Sequence, residues 1–233
     1  MRRRWLPPPT RRCTPQSRRV ATACSFIATR SRRVSKKNPE LVIELLNQGP
    51  DQILPVATAV ATLAPFLRPH AERVGRVAAF LAGVLKLPPE DCETLRLAAL
   101  LHDIGLLAVP VDVLGKRAPL TAEEQQLLRR HPVTAGDWLA RVPALHMLAP
   151  IVRHHHEHFD GKGCPDGLRG NAIPLLAQLL ALADAFAAMN SDWPGRRALS
   201  AEDAKTELRR CAGTQFDPRL VDSLLQAPGE NSV

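Results

Sequence analysis

The residues best suited to chemistry in this chain are histidines and aspartates. An imidazole and a carboxylate are adjacent at His102 and Asp103, after an apolar run and immediately before Ile-Gly, where the backbone can turn. At the end of a helix such a pair can converge on one metal ion, and the carboxylate can bridge two ions. By their positions, seven of the eight histidines are candidates: His70, His102, His131, His154, His155, His156 and His158.

Asp184 is a second strong signal, because it lies within the apolar segment PLLAQLLALADAFAAM. An ionised carboxylate on an apolar helical face is costly to bury unless it is paired or binds a metal. Arg73 or Arg76 could supply such a pair. The small residues on the same face as Asp184 would let another helix approach closely: Ala177, Ala181, Ala187 and Ala188.

Each of the remaining candidates could also have a role that needs no metal. His70 on an apolar stripe could be a hydrogen-bonded core residue. His131 could lie at the end of a helix, where a histidine interacts favourably with the helix dipole. The histidines at 154–158 could form a solvated surface patch. The combination of all these residues favours a metal site over the separate roles. Imidazole and carboxylate ligands suit Fe, Mn, Ni or Zn, and the sequence does not choose among these.

Helical patterns dominate the chain from Pro39 onward, and no run alternates apolar and polar residues as a half-buried strand would. The segment from Pro69 to Lys86 is typical, since one face carries His70, Val74, Val77, Leu81 and Val84. The sequence therefore predicts an all-α fold.

Several helix ends can be read from capping residues. Thr121 to Glu124 forms a capping box, and the helix that it starts should stop near Arg130, because Pro132 disfavours a helical conformation at His131. Further helices should begin at Pro174, after Ser200 and at Asp217-Pro218.

The net charge of +8 is distributed unevenly. Residues 1–38 hold 12 Lys or Arg and no acidic residue, which leaves 19 basic against 23 acidic residues in the rest. The folded part is therefore expected to be mildly acidic, which removes the composition argument for DNA or RNA binding by the domain. No segment has the length and apolarity of a membrane span, so no membrane association is expected.

Residues 1–38 are rich in Arg, Pro and Ser and show no apolar period, so we expect a disordered Arg-rich tail. Two alternatives stay open for this segment: an acid-free targeting segment, and residues added by an upstream start codon. A secretory signal fits poorly, because no apolar region of adequate length follows the first arginines. The cysteines are odd in number and form no CxxC pair, which indicates no disulfide framework and a reducing, cytoplasmic location.

Several segments of the chain resemble the HD-GYP family of cyclic di-GMP phosphodiesterases in content, order and spacing. They are LLHDIG at 100–105, HP at 131–132, HHEHFDGKGCPDGL at 155–168, ADAFAAMNSD at 183–192 and FDP at 216–218. An HD pair alone is a weak signal, but these segments in order are specific. The similarity covers roughly residues 68–225.

The resemblance implies an HD-superfamily helical bundle that holds divalent metal ions. Its position-by-position ligands are His102, Asp103, His131, His155, His156 and Asp184, with Asp103 as the catalytic, bridging carboxylate. His70 matches a first-helix histidine that is a ligand in the broader HD superfamily. Phe66 stands where three-metal members carry a Glu, so two divalent transition-metal ions are expected.

The resemblance also implies an organisation and a reaction. We expect a tail at 1–38, a helical lead-in at 39–67 and an HD-GYP-like metal-dependent phosphohydrolase domain at 68–226. The reaction would be hydrolysis of a 3′–5′ phosphodiester in cyclic di-GMP, giving pGpG and GMP. A cyclic dinucleotide is thus the expected substrate. The sequence shows no receiver or sensor domain, so regulatory input is expected either from a signalling-protein partner or from the helical lead-in at 39–67.

The departures from the family pattern lie on the substrate side. HDIGL ends in Leu106 where the family has a phosphate-contacting Lys, and Gly163-Cys164-Pro165 replaces GYP. The family's RPYR reads Trp193-Pro194-Gly195-Arg196, so Arg196 remains as the expected substrate-binding residue.

These departures leave two functions of different class. The first is a working phosphodiesterase with weakened catalysis, in which the ions and Arg196 hold the phosphate. The second is a degenerate domain that binds metal, and nucleotide or a partner protein, without efficient catalysis. Losing two charged contacts, each worth about 1.5–3 kcal/mol, slows an enzyme without abolishing its activity, so the enzyme is preferred. Hydrolysis of another phosphate ester is a third candidate, because HD folds host several substrates.

Overall fold

The computed structural model of the protein describes residues 39–61, 67–116, 118–192 and 197–227. The expected tail at 1–38 lies outside the described residues, as do Phe66, Trp193 and Arg196. Within them the chain is helical apart from its turns and an isolated bridge between Ala212 and Phe216, which confirms the all-α prediction. No helix among these residues is long and apolar enough to cross a bilayer.

The α-helices of the described residues are short, except for two that run through the centre of the fold. In chain order they are α1 (Pro39–Asn47), α2 (Ile53–Ala61), α3 (Leu67–Val84), α4 (Pro89–Leu101), α5 (Val111–Leu114), α6 (Ala122–Arg129), α7 (His131–Ala140), α8 (Ala149–Arg153), α9 (Leu175–Met189), α10 (Ala201–Cys211) and α11 (Pro218–Gln226). Single 3₁₀ turns lie at Pro50–Gln52, Ile104–Ala108, His146–Leu148 and Gly170–Ala172.

Helix α3 is central, because it packs against α4 on one side and α9 on the other, with α2 and α11 also in contact. Its apolar stripe is fully buried at Val74, Val77 and Leu81. Helix α9 buries both leucines and alanines, and Ala183 and Ala187 are fully enclosed. Small side chains let helices approach closely, so the alanines of α9 bring its polar positions near the polar positions of α3.

The helix ends follow the capping signals with two differences, of which the smaller is a shift by one residue: Pro174 is the N-cap of α9 and not its first helical residue. Thr121 and Glu124 form both hydrogen bonds of the capping box, and Ser200 and Asp217 cap the helices after them. The helix from Ala122 does end at Arg129, but His131 is itself helical, because it begins α7 with Pro132 in the first turn. Proline is tolerated there, since the first N–H groups of a helix have no intrahelical partner. The expected non-helical conformation of His131 was therefore wrong.

A small second apolar cluster lies apart from the main core. Its buried members are Leu67, Leu106 and Val109, and the partly buried side chains packed on them are Val113, Leu114 and Leu128. The residue that replaces the family lysine, Leu106, is thus a packed hydrophobic side chain and is only 6% exposed.

Candidate metal centre

Five elements bring the predicted ligands into one place. His70 lies in the first turns of α3, His102 caps the end of α4, and His131 begins α7. The chain delivers the pair His155 and His156 directly after α8, and α9 contributes Asp184 from its middle. Because the helices that carry these residues pack on one another, the side chains converge although they are far apart in sequence.

Asp103 lies between two groups of histidines. Its Oδ2 is 3.3 Å from Nε2 of His102, and its Oδ1 is 3.3 Å from Nε2 of His131. One group consists of His70, His102 and Asp184, and the other of His131, His155 and His156; within each group the potential ligand atoms lie within 4.8 Å of one another. The two oxygens of one carboxylate therefore face two separate clusters of ligand atoms.

Gly105 makes the position of Asp103 possible. A Cβ at this residue would lie 2.1 Å from the backbone oxygen of His131, which is closer than any non-bonded contact. Without a side chain, the 3₁₀ turn Ile104–Ala108 can lie directly against the start of α7. The absence of a Cβ thus places Asp103 within reach of His131.

The imidazole rings are oriented by the backbone. Nδ1 of His102 lies 2.9 Å from the carbonyl oxygen of Ala99, and Nδ1 of His155 lies 2.6 Å from that of Val152. His131 has the same contact, at 2.7 Å, with a carbonyl three residues earlier. A carbonyl only accepts, so each Nδ1 donates its proton, and in the neutral imidazole Nε2 carries the lone pair that a metal would use. This arrangement is common for histidines that bind metals.

The free Nε2 atoms point into the cluster and not towards solvent. Nε2 of His102, of His131 and of His155 is buried without a hydrogen-bond partner in the part of the chain that the structure describes. Buried polar atoms are normally paired, so three such atoms in one place need a ligand. Imidazole nitrogens with carboxylate oxygens are suitable donors for divalent transition metals. The donor set therefore fits a metal centre.

Burial and mutual contact set opposite protonation states in the cluster. Burial opposes the charge of His102, but the adjacent carboxylate of Asp103 outweighs it and raises the histidine pKa to about 9. Burial would raise the pKa of both Asp103 and Asp184, yet the surrounding imidazoles hold each carboxyl pKa below its ordinary value. Burial lowers the pKa of His155, and it lowers that of His156 to about 4. Two carboxylates and two neutral imidazoles are thus available at neutral pH.

The loop after His156 is held in a fixed conformation. Oε1 of the buried Glu157 accepts the backbone N–H of Asp166 at 2.7 Å. Arg153 and His154 both bind the Asp166 carboxylate from outside, at 2.8 and 2.9 Å. A Cβ at Gly163 would lie 2.1 Å from the backbone nitrogen of His158, so only glycine allows the loop to fold back here. His154 is consequently turned away from the cluster and anchors the loop.

A cavity of about 600 Å³ opens onto the cluster. Its inner wall includes His70, Asp103, His131, His156 and Asp184, and an apolar side is formed by Leu67, Leu106, Val113, Leu114, Leu120 and Leu128. Four further polar residues, Lys116, Arg129, His158 and Cys164, and the small Ala188 complete the lining.

Sequence reasoning did not select Lys116 or Arg129 as site residues. Arg129 stands two residues before His131, and its nearness to a predicted ligand is a usable signal. Lys116 carries no comparable signal, because only the tertiary fold brings the turn after α5 to the cavity. The expected substrate-binding residue Arg196 lies outside the described residues.

Comparison with known proteins decides the family of the chain. The profile of the HD domain family matches residues 55–220. The chain belongs to the HD domain family. Among curated relatives, the cyclic di-GMP phosphodiesterase response regulator RpfG of Xanthomonas campestris is 40% identical over 66% of this chain and 42% of its own length. A cyclic di-GMP phosphodiesterase of Thermotoga maritima is 33% identical over 69% of this chain and 44% of its own.

Further relatives and solved structures agree with this assignment. A 3′3′-cGAMP-specific phosphodiesterase of Vibrio cholerae is 28% identical over 82% of this chain and 37% of its own length. A cyclic GMP-AMP-specific phosphodiesterase structure from the same species matches with a TM-score of 0.57 at 21% identity, over 77% of this chain and 49% of its own. The structure of a HDG"Y"P protein of Bdellovibrio bacteriovorus also matches with a TM-score of 0.57, at 19% identity, over 91% of this chain and 72% of its own. These two structures confirm the HD fold, and the curated relatives that the chain matches are more than twice as long as the matched segment.

Proposed function

We propose that this HD domain is a metal-dependent phosphodiesterase that hydrolyses a 3′–5′ phosphodiester bond of cyclic di-GMP. The observation that carries the proposal is the position of Asp103, whose two oxygens each lie 3.3 Å from a histidine of a different potential ligand group. A carboxylate in that position is suited to bridge two cations. The names of the relatives, which are phosphodiesterases of cyclic dinucleotides, support the choice of substrate.

The chain contributes a largely buried ligand set, since His70, His102 and His155 are each at most 2% exposed. We propose that His70, His102 and Asp184 would hold one ion and that His131, His155 and His156 would hold the other, with Asp103 as the carboxylate that both ions would share. A bound divalent pair supplies Lewis acidity towards the phosphate and an activated water near neutral pH. The backbone carbonyls that accept from Nδ1 of His102, His131 and His155 keep these imidazole rings in place, so little reorganisation of them is needed on binding.

The cavity can accommodate the rest of a nucleotide. Its apolar side, which includes Leu106, Leu114 and Leu128, offers surface for the face of a base. The carboxylates are confined to the buried wall, where His102 and His131 contact Asp103. A substrate phosphate directed at this wall would meet cations once metal is bound, while the bases remain against apolar side chains.

A second function is favoured by one observation, the packing of Leu106. This side chain belongs to the cluster with Leu67 and Val109, so the position offers no charge to a phosphate. A domain that binds metal and cyclic dinucleotide without efficient turnover would be compatible with that change.

Metal analysis and turnover on cyclic di-GMP test the proposal together. Purified protein should contain about two transition-metal ions per chain and release pGpG or GMP, whereas Asp103→Ala should lose most metal and all turnover. Asp112→Ala is the matched control, because Asp112 is an exposed carboxylate on α5 that does not line the cavity. Metal-loaded protein that binds cyclic di-GMP without releasing product would support the binding domain instead. Full metal content in Asp103→Ala would contradict the bridging role.

A further inference from the structure

The cavity has a buried acidic wall and a more accessible basic part. Asp103 and Asp184 line the inner wall, and their side chains are each 18% exposed. Lys116 and Arg129 line the same cavity, and they are more accessible: the Lys116 side chain is 30% exposed and Arg129 is an exposed residue at the end of α6. Of the described residues around the cavity, these two are its lysine and its arginine.

Neither Lys116 nor Arg129 is fully committed to an interaction within the protein. Arg129 forms no ion pair with a carboxylate in the described ranges 39–61, 67–116, 118–192 and 197–227. Burial raises the pKa of the Cys164 thiol, and the positive charge of Arg129 partly opposes this effect. Lys116 binds both carboxylate oxygens of Glu124, at 2.9 and 2.6 Å, but Glu124 also accepts the N–H of Thr121 in the capping box. Glu124 keeps that second partner if Lys116 turns towards a ligand. A single partly exposed pair of this kind is worth about 1 kcal/mol, so a phosphate can compete for the lysine.

The apolar part of the cavity lining offers no positive charge to a phosphate. Leu106 stands there among Leu67, Val113 and Leu114, all of them apolar. A phosphate that enters this side of the cavity would lose hydration without gaining a charged hydrogen bond. Apart from the proposed metal centre, the permanent positive charges that the described lining offers to a substrate are therefore those of Lys116 and Arg129.

A cyclic dinucleotide carries two phosphodiester groups on one ring, and only one of them is cleaved in a given step. We propose that Lys116 and Arg129 bind the phosphate that is not being cleaved, while the other phosphate lies at the Asp103 wall. This inference rests on the proposed phosphodiesterase function. Lys116 and Arg129 would then be specificity residues that select substrates with two phosphates over simple phosphodiesters. Neither residue belongs to the sequence motifs of the metal centre.

Two substrates separate this role from a general effect on the site. Cyclic di-GMP has two phosphates, whereas bis(p-nitrophenyl) phosphate has one. In Lys116→Met and Arg129→Gln, the ratio of kcat/KM for cyclic di-GMP to kcat/KM for bis(p-nitrophenyl) phosphate should fall about ten-fold, mainly through KM. Lys116→Arg should restore most of the ratio. Metal content and melting temperature of each variant verify that the fold is intact.

Matched controls come from cations that lie outside the cavity. Arg130→Gln changes the exposed neighbour of Arg129, and Lys162→Met changes a lysine that is 83% exposed. Both should keep the ratio of the unchanged protein. A ratio that stays constant in Lys116→Met and Arg129→Gln, whether both rates stay or both fall, would overturn the inference and leave the phosphodiesterase function standing. Protein that cleaves bis(p-nitrophenyl) phosphate but neither binds nor cleaves cyclic di-GMP would overturn both.

Discussion

Nε2 of His70 on α3 lies 2.9 Å from Oδ1 of Asp184 on α9, across the contact between the two central helices. His70 is 2% exposed, and its ligand atom falls in the same group as those of His102 and Asp184. This geometry places His70 in one of the two potential ligand groups of the proposed metal centre. The pairing also differs from the sequence alternative in which Arg73 or Arg76 neutralises Asp184, because Arg73 donates to the carbonyl oxygen of Asn190.

His70→Ala should therefore remove about one of the two ions and leave the other. The group of His131, His155 and His156 contains no atom of His70, so its ion should remain. Inductively coupled plasma mass spectrometry of purified variants measures the ions per chain, with His146→Ala as the control because His146 is exposed and lies outside both groups. Full metal content in His70→Ala would return His70 to the role of a core residue.

Much of the candidate metal centre could be predicted from sequence because its potential ligands lie in short, ordered motifs. His102 and Asp103 are adjacent, and His155 and His156 are adjacent, so local chain geometry already keeps each pair together. The helical pattern around Asp184 shows that its carboxylate faces an apolar environment. Periodicity identifies such faces, but it does not say which helix covers them. The choice between His70 and an arginine as partner of Asp184 therefore needed the tertiary structure.

The cavity lining was less predictable for the same physical reason. Lys116 reaches the cavity through the packing of the turn after α5, and no periodic or capping signal marks that contact. The sequence shows that position 106 has a leucine where the resembling family has a lysine. The structure adds that this leucine packs on Leu67 and Val109. A substitution pattern reports a change in chemistry and does not report what the new side chain contacts.

The metal-free protein should be most stable near pH 6.5. His102 has a pKa of about 9, above the ordinary value of 6.5, so its contribution is complete below pH 6.5 and is lost as the pH rises towards 9. His156 has a pKa of about 4, and that of His155 is also lowered, so their contribution is complete above pH 6.5 and is lost as the pH falls. The two effects oppose each other and leave a maximum between them.

Urea midpoints of EDTA-treated protein between about pH 5 and pH 9 measure this profile. Adding metal should flatten the alkaline side, because a metal ligand must be a neutral imidazole and the ion replaces the proton on His102. His146→Gln, which changes an exposed histidine, should retain the maximum. A metal-free protein whose stability keeps rising from pH 6.5 to pH 9 would show that His102 is not protonated in the folded state.

Leu106→Lys should raise turnover on cyclic di-GMP and lower stability. The new ammonium can reach the cavity that Leu106 lines, where it would meet developing negative charge on the phosphate and raise kcat about ten-fold. The same change removes a side chain that is 6% exposed and packs on Leu67 and Val109, so the melting temperature should fall. Leu106→Met keeps size and apolarity and should change neither quantity much. Tighter binding of cyclic di-GMP without faster release of product would favour the binding domain.

Gly105→Ala should disrupt the metal centre without altering any proposed ligand. The added Cβ would lie 2.1 Å from the backbone oxygen of His131 and 3.0 Å from the backbone nitrogen of Ala135, so the 3₁₀ turn must move away from α7. Such a shift of backbone against backbone costs about 3 kcal/mol and separates Asp103 from His131, whose atoms are 3.3 Å apart in the intact protein. We expect a lower urea midpoint and a loss of metal comparable with that of Asp103→Ala.

Gly83→Ala is the matched control, because nothing lies within 4 Å of a Cβ at that position in α3. Alanine there should stabilise the helix by about 0.5–1 kcal/mol. If Gly105→Ala retained its full complement of metal, the close approach of the turn to α7 would not be what positions Asp103.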